Sequence, residues 1–343
     1  MTCDAGSVLS DHAGPIAHGF GWGGHVHDMA LAARGEQGRV WRLTTERGTY
    51  AVKELIVRQT PADVEMDVAF QEAVLAAGSV TMPQPIRTVD GDVLLEVAGQ
   101  QVRAYTWVDL LPTDLTLDSA SVGAALAAVH RVQHLLARPL HPWYSEPVGE
   151  ARWADLLTAA QAARAPFAEA FRAEVPHLLA LEAVLEAPSR LQNCHRDLWA
   201  DNMLPTPDGA ICVIDWENCG LADPSQEVPM ALVDFGGDDQ RRIAALYRAY
   251  LDNGGPGRVS GPGSFTMVIA QFGHFWESAV RTYAAPEATD EQRAHSVDRV
   301  AELLDRPLRP HHIEEMLDTL AGTALSGGSE RLPGAGHLHA SDD

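Results

Sequence analysis

The chain has 343 residues, 46% of them apolar and 21% charged, a globular composition that excludes disordered, collagen-like and fibrous proteins. Its 47 acids against 25 bases leave a net charge of -22. Such a surface repels phosphate backbones and anionic lipid, so neither nucleic acid nor a membrane is expected as a partner. No apolar run approaches the ~20 residues of a membrane span, and residues 1–14 lack a basic segment followed by an apolar stretch, so a cytoplasmic protein is expected.

Residues 1–25 read as an N-terminal extension. A strand is expected over 26–33, followed by Gly35-Glu36-Gln37-Gly38, a strand over 40–45, a turn at Glu46-Arg47-Gly48, and a strand over 49–53. Thr60-Pro61-Ala62-Asp63 opens a helix, with a capping hydroxyl, proline at the first helical position and an acid in the first turn. Gly78 suits its left-handed end. Two short strands, 86–88 and 93–97, are expected around Asp90-Gly91-Asp92. Residues 26–108 thus form a β-rich lobe with one helix.

From 109 to 320 the chain is mostly helical. Amphipathic stretches cover 119–137, 151–165, 167–185, 241–251, 264–283 and 291–304, interrupted by the strand-like run 210–214. The stretch 321–343 reads as a flexible tail. The fold class expected is α+β: a small antiparallel-sheet lobe followed by a larger helical one, with a cleft between.

Four cysteines, at 3, 194, 212 and 219, match neither a zinc pair nor a disulfide framework. The basic residues are more informative, because Lys53 is the only lysine in the chain. Arginine and lysine are not interchangeable as point charges, and this one ammonium sits at the end of an expected strand, Ala51-Val52-Lys53. Further on, His195-Arg196-Asp197-Leu198-Trp199-Ala200-Asp201-Asn202 fits the pattern His-Arg-Asp-Leu, three residues, Asn. Then Val213-Ile214-Asp215-Trp216 places an acid at the end of a short buried strand.

Taken in this order, the lysine strand, the loop and the aspartate strand resemble the protein-kinase-like superfamily. Within it the match is to the aminoglycoside phosphotransferase and choline-kinase-like branch, over most of residues 26–320. The resemblance implies a bilobal kinase-like fold and phosphoryl transfer from ATP or GTP with Mg²⁺ to a small-molecule hydroxyl. Such chemistry needs positioning and charge neutralisation more than covalent help. Asp197 would accept or orient the hydroxyl proton, Asn202 and Asp215 would ligate Mg²⁺ as hard oxygen donors, and Lys53 would hold the α- and β-phosphates. His195 would organise the loop. Gly35 and Gly38 would admit backbone N–H groups to the phosphates, although an ordinary hairpin explains that pair too. Glu72 continues the stripe Val64, Val68 at steps of four and is the expected carboxylate partner of Lys53, with Glu65 the competitor.

A protein kinase is not expected. Only 217–226 separates Asp215 from the next helical stretch, too little for an activation segment, and Trp199 stands where serine/threonine kinases carry lysine. Gly220-Leu221-Ala222-Asp223-Pro224 instead resembles the segment that closes the site in small-molecule kinases, with Asp223 and Glu227 bracing the catalytic loop. Residues 191–320 hold 21 acids and 10 bases, which favours an amine-bearing acceptor, as an aminoglycoside-like antibiotic or amino sugar would be. Phe272, Phe275, Trp276, Tyr283, Trp143 and Trp153 are open between core packing and stacking on that acceptor. A metabolic kinase of the fructosamine, choline or homoserine type is the alternative, and a nucleotide-binding pseudokinase a further one.

Overall fold

The computed structural model describes residues 7–35, 38–78, 80–134 and 138–326. Two short helices, α1 (Ser7–Ser10) and α2 (Ala13–Gly19), lead into strands β1 (Val26–Arg34), β2 (Gly38–Thr45) and β3 (Gly48–Leu55). Helix α3 (Pro61–Ala77) follows, then β4 (Pro85–Ile86), β5 (Leu95–Val97) and β6 (Gln100–Thr106). The sheet is antiparallel in the order β1-β2-β3-β6-β4, with β5 also paired to β6. Helix α3 begins and ends as its sequence dictates: the Thr60 side chain accepts from Asp63 N, Pro61 takes the first turn, and Gly78 closes it at φ 69.

Strand β6 is an interior strand that the hydrophobic pattern does not announce. It follows a turn in which Ala98 and Gly99 both have positive φ, a combination that matches the twist of a tight hairpin. The extension is not loose either. Leu9, Ile16, Ala17, Phe20 and Trp22 are buried against Trp41, Leu43, Val52 and Val102 of the sheet, and Trp22 stacks on Tyr50 with centroids 3.8 Å apart. Residues 7–22 therefore roof the sheet face opposite Lys53.

The second lobe contains α4 (Ser119–His130), α5 (Glu150–Ala162), α6 (Ala168–Glu182), β7 (Gln192–Cys194), β8 (Met203–Pro205), β9 (Ile211–Val213) and β10 (Gly220–Ala222). Helices α7 (Pro224–Ala231), α8 (Gln240–Asp252), α9 (Thr266–Ala284), α10 (Asp290–Asp305) and α11 (Pro310–Ser326) complete it. Strands β7 and β10 pair with each other, as do β8 and β9. Residues 321–326, expected in the tail, are helical in α11; the rest of that expected tail, 327–343, lies outside the described residues. Among the described residues no helix is long and apolar enough to cross a membrane.

Among the described residues, two of the contacts that join the lobes involve no charged group. Phe70 of α3 packs edge-on against Trp216, centroids 5.7 Å apart, and Val213 N donates to Thr81 O at 2.9 Å. Both fasten the first lobe to the short segment that carries Asp215.

Candidate active site

The loop after β7 is held by buried groups from four elements. His195 is fully buried; its Nε2 donates to Ile214 O at 3.0 Å, and burial pushes its pKa down to about 4. A ring so buried, hydrogen-bonded to the carbonyl before Asp215, ties the loop to that segment. Arg196 sits at φ 66, a conformation that a non-glycine residue holds only when its surroundings impose it. Its N–H donates to Glu227, its Nε to Asn218 O at 2.6 Å and its Nη2 to Cys219 O at 3.2 Å. Its guanidinium lies 4.2 Å from the centre of the Tyr144 ring. Gly220 makes room, since a Cβ there would stand 2.6 Å from the guanidinium carbon.

Glu227 is itself fixed from behind. His130 lies 2.9 Å from it through Nε2 and 2.9 Å from the Tyr250 hydroxyl through Nδ1. That hydroxyl accepts from Gly257 N, and because a carboxylate only accepts, His130 donates from Nε2 to Glu227. Burial opposes the Glu227 charge, but His130 and the Arg196 amide outweigh it and hold the carboxyl below its usual range. His130, Cys194 and Glu227 have ligand atoms within 4.8 Å of one another, yet this brace already engages the histidine and the carboxylate. Asp223 caps α7 through Ser225 N at 2.8 Å and accepts from Ser189 N and Arg190 N at 2.8 and 3.0 Å.

Asp197 carries the loop's free chemistry. Its Oδ2 accepts from Asn202 Nδ2 and from Asn218 Nδ2, each at 3.0 Å, while Oδ1 receives no such donor. Burial raises its pKa to about 6, against the partial opposition of the two amides. Asn202 also donates to Asp197 O at 2.8 Å, so its amide nitrogen is committed and its oxygen remains for a cation. Asn218 has the same orienting function and was not identified from the sequence, because nothing in Trp216-Glu217-Asn218 marks it.

Lys53 reaches across the cleft. Its Nζ is 2.6 Å from Asp215 Oδ1 and 2.8 Å from Glu217 Oε1. Burial works against its charge, but Glu217 and then Asp215 more than compensate and raise its pKa above the ordinary lysine value. Asp215 stands at φ 63 after β9, and partial loss of solvation beside the Glu217 charge pushes its carboxyl up to about 7. In Glu217, burial is outweighed by Lys53, Asp215 and Arg103, and the carboxyl is held well below its usual range.

The pairing expected for Glu72 does not form. Glu72 and Glu65 are exposed and both meet Arg87, at 3.2 and 2.7 Å. Eight residues at about 100° each carry Glu72 ~80° past Val64, away from the face that α3 buries through Val64, Asp67, Val68 and Gln71. Gly35 N donates to Gly38 O at 2.9 Å, closing a hairpin between β1 and β2; Glu36 and Gln37 lie outside the described residues. At Gly38 a Cβ would stand 2.7 Å from Glu54 O and 3.3 Å from Lys53 Cε, so glycine is required there by the approach of β3.

Gly35, Gly38, Lys53, Asp197, Asn202, Asp215, Glu217 and Asn218 line one cleft of about 2020 Å³; Glu72 and the buried His195 do not. The first lobe contributes Gly35, Gly38 and Lys53 to its lining, and the second Trp143, Asp197, Trp199, Phe272 and Phe275. Of the aromatics left open by the sequence, Trp153 and Trp276 are core, and Tyr283 packs against Phe167. A smaller pocket of about 430 Å³ adjoins at Trp143 and His274. The donor set suits a hard divalent cation. Asp215 and Glu217 crowd two carboxylates together, Glu217 Oε2 is buried without a hydrogen-bond partner, and the Asn202 oxygen completes an oxygen-only set of the kind Mg²⁺ takes.

The phosphotransferase enzyme family matches this chain over residues 28–261. No curated protein matches it in sequence. Among solved structures, a spectinomycin phosphotransferase in complex with ADP and spectinomycin aligns with TM-score 0.62 at 14% identity, covering 87% of this chain and 94% of that one. An amicoumacin kinase in complex with AMP-PNP and Ca²⁺ aligns with TM-score 0.57 at 13% identity, covering 89% and 94%. A choline/ethanolamine kinase family protein from Mesorhizobium loti aligns with TM-score 0.56 at 15% identity, covering 91% and 98%. At these identities the likeness is one of fold.

Proposed function

The chain belongs to the phosphotransferase enzyme family, and on that premise we propose that it moves the γ-phosphoryl group of ATP or GTP to a hydroxyl of a small amine-bearing molecule. The observation that carries this reading is Asp197. One carboxylate oxygen is pinned by two amides, and the other is left toward a cleft that also presents Lys53 and Asp215. The acceptor hydroxyl gives its proton to Asp197 Oδ1 as its oxygen forms the new bond to phosphorus. The bond from that phosphorus to the bridging oxygen breaks, and the nucleoside diphosphate leaves. Lys53 neutralises the phosphates as a compact charge. Asp215 and Asn202, with Glu217 beside them, would hold Mg²⁺, which supplies charge neutralisation at the transferring phosphate.

An ammonium on the acceptor is supported by the part of the cleft wall that the second lobe supplies. Asp234, Asp238, Glu302 and Asp305 line it against Arg299 and Arg306, while Phe272, Phe275 and Trp143 offer apolar faces. The test is release of nucleoside diphosphate across aminoglycosides, amino sugars, choline-like amines, homoserine, macrolides and neutral sugars, with ATP and with GTP, at low and moderate salt. An amine-bearing acceptor whose KM rises with ionic strength is expected, because exposed charges are screened over ~8 Å at physiological salt. A neutral best acceptor with no salt dependence overturns the ammonium. Absence of any thermal shift with either nucleotide and Mg²⁺ overturns the transferase reading itself, since ligand at 100 times its Kd stabilises by ~2.7 kcal/mol.

A further inference from the structure

Lys53 and Arg103 are register partners on β3 and β6. Two cations directly opposite on adjacent strands repel, and a buried charge without a partner is strongly unfavourable. Glu217 resolves this conflict with a single oxygen: Oε1 lies 2.8 Å from Lys53 Nζ and 3.4 Å from Arg103 Nη1. Asp67 Oδ2 of α3 lies 3.6 Å from the same Nη1. Asp67 Oδ1 is held by Arg138 Nη1 at 2.8 Å. The side chains of Arg103 and Asp67 are each 2% exposed and that of Glu217 is 4% exposed. Helix α3 sends no carboxylate to Lys53, since Glu65 and Glu72 are taken by Arg87.

We propose that Arg103 is a positioning residue that couples α3 to the phosphate-binding lysine through the chain Asp67–Arg103–Glu217–Lys53. The inference rests on the phosphotransferase reading and says how that site is held. Asp215, with 43% of its side chain exposed, is free to leave Lys53 for a cation, and Glu217 then remains as the lysine's fixed anion. Its place depends on Arg103 together with the Tyr105 hydroxyl, which donates to the same Glu217 Oε1 at 3.5 Å; Nη1 and Nη2 of Arg103 make no hydrogen bond, and Nη1 is held by the two carboxylates through charge. Moving or neutralising any link shifts the Lys53 ammonium relative to the phosphates. Asp197, held by Asn202 and Asn218, is untouched.

The experiment is calorimetric titration with Mg²⁺ and the non-hydrolysable analogue of whichever nucleotide the wild type binds, which needs no acceptor. Arg103→Met is expected to weaken binding about tenfold, within the range of coupling between contacting charged groups. Arg103→Lys should recover part of that loss. In a Glu217→Gln background Arg103→Met should add less than twofold, because the chain is already broken. Unchanged binding by Arg103→Met with native circular dichroism overturns the proposal, and so do additive effects of the two substitutions. If Arg103→Met does not fold, Asp67→Asn serves in its place: it keeps an acceptor for Arg138 and should weaken binding about threefold. Unchanged binding by Asp67→Asn is then the refuting result. A wild type that binds neither nucleotide would instead remove the parent reading.

Discussion

Replacing Asp197 by asparagine should separate catalysis from stability. An asparagine Oδ1 placed where Oδ2 now lies still accepts from Asn202 and Asn218, so the loop geometry survives while the buried charge disappears. Burial raises the Asp197 pKa from 3.8 to about 6. A rise of about 2 units at 1.36 kcal/mol per unit corresponds to roughly 2–3 kcal/mol by which the ionised carboxylate destabilises the native state above pH ~6. Because the native pKa is the higher one, this penalty is complete above pH ~6, fades as the pH falls toward 4, and is absent below. Asp197→Asn should therefore raise Tm by about 4 °C at pH 8, lose that advantage near pH 4, and still lower turnover by at least 10²-fold. Paired melts at pH 8 and pH 4, with nucleoside diphosphate release at pH 8, measure all three quantities. A variant destabilised at both pH values would show that the carboxylate holds the loop by its charge. Retained turnover would remove Asp197 from proton transfer.

Further tests address other parts of the molecule. Wild-type turnover should fall on the acid side with an apparent pKa near 6, as protonation of Asp197 removes the proton acceptor; a flat profile down to pH 5 refutes that assignment. Asp215→Ala should weaken Mg²⁺-nucleotide binding at least tenfold, because a metal ligand is lost, whereas Asp197→Asn should leave it nearly intact; equal losses in the two variants would mean the roles are misassigned. Trp22→Ala, at a position 4% exposed, should lower stability by about 3–5 kcal/mol, read as a lower urea midpoint; an unchanged midpoint would show that the N-terminal roof contributes nothing. Gly220→Ala must displace the Arg196 guanidinium and should reduce kcat more than nucleotide affinity, and full activity would contradict the anchoring described for Arg196.

The residues proposed to touch the reacting atoms were legible because they lie in short, spaced motifs: Asp197, Asn202 and Asp215 are read off two segments, and Lys53 stands out as the single lysine. Their supports were not. Arg103, Asn218, His130 and Tyr250 act across separations that no local pattern encodes. Strand β6 escaped notice because its buried positions include Gln101 and Arg103, polar residues that blur the alternation of a half-buried strand. Glu72 was misplaced because counting in fours drifts off a helix of 3.6 residues per turn. Helix α7 was masked by Pro224 and Pro229, prolines in its first turns. The roof built from α1 and α2 was invisible because those helices are too short to show a period and gain their order from the sheet beneath.

The burial of Lys53 between Asp215 and Glu217 also fixes how this protein meets amine-directed chemistry. Acylating and cross-linking reagents attack the neutral amine, and here the one ε-amino group in the chain is 14% exposed and held in its protonated form. With every other member of the lysine-arginine set an arginine, the exterior offers such reagents no lysine. An intact molecule should stay almost unlabelled apart from its α-amino group. A chain that acquires a second adduct has opened its cleft, so labelling stoichiometry becomes a direct count of opened molecules.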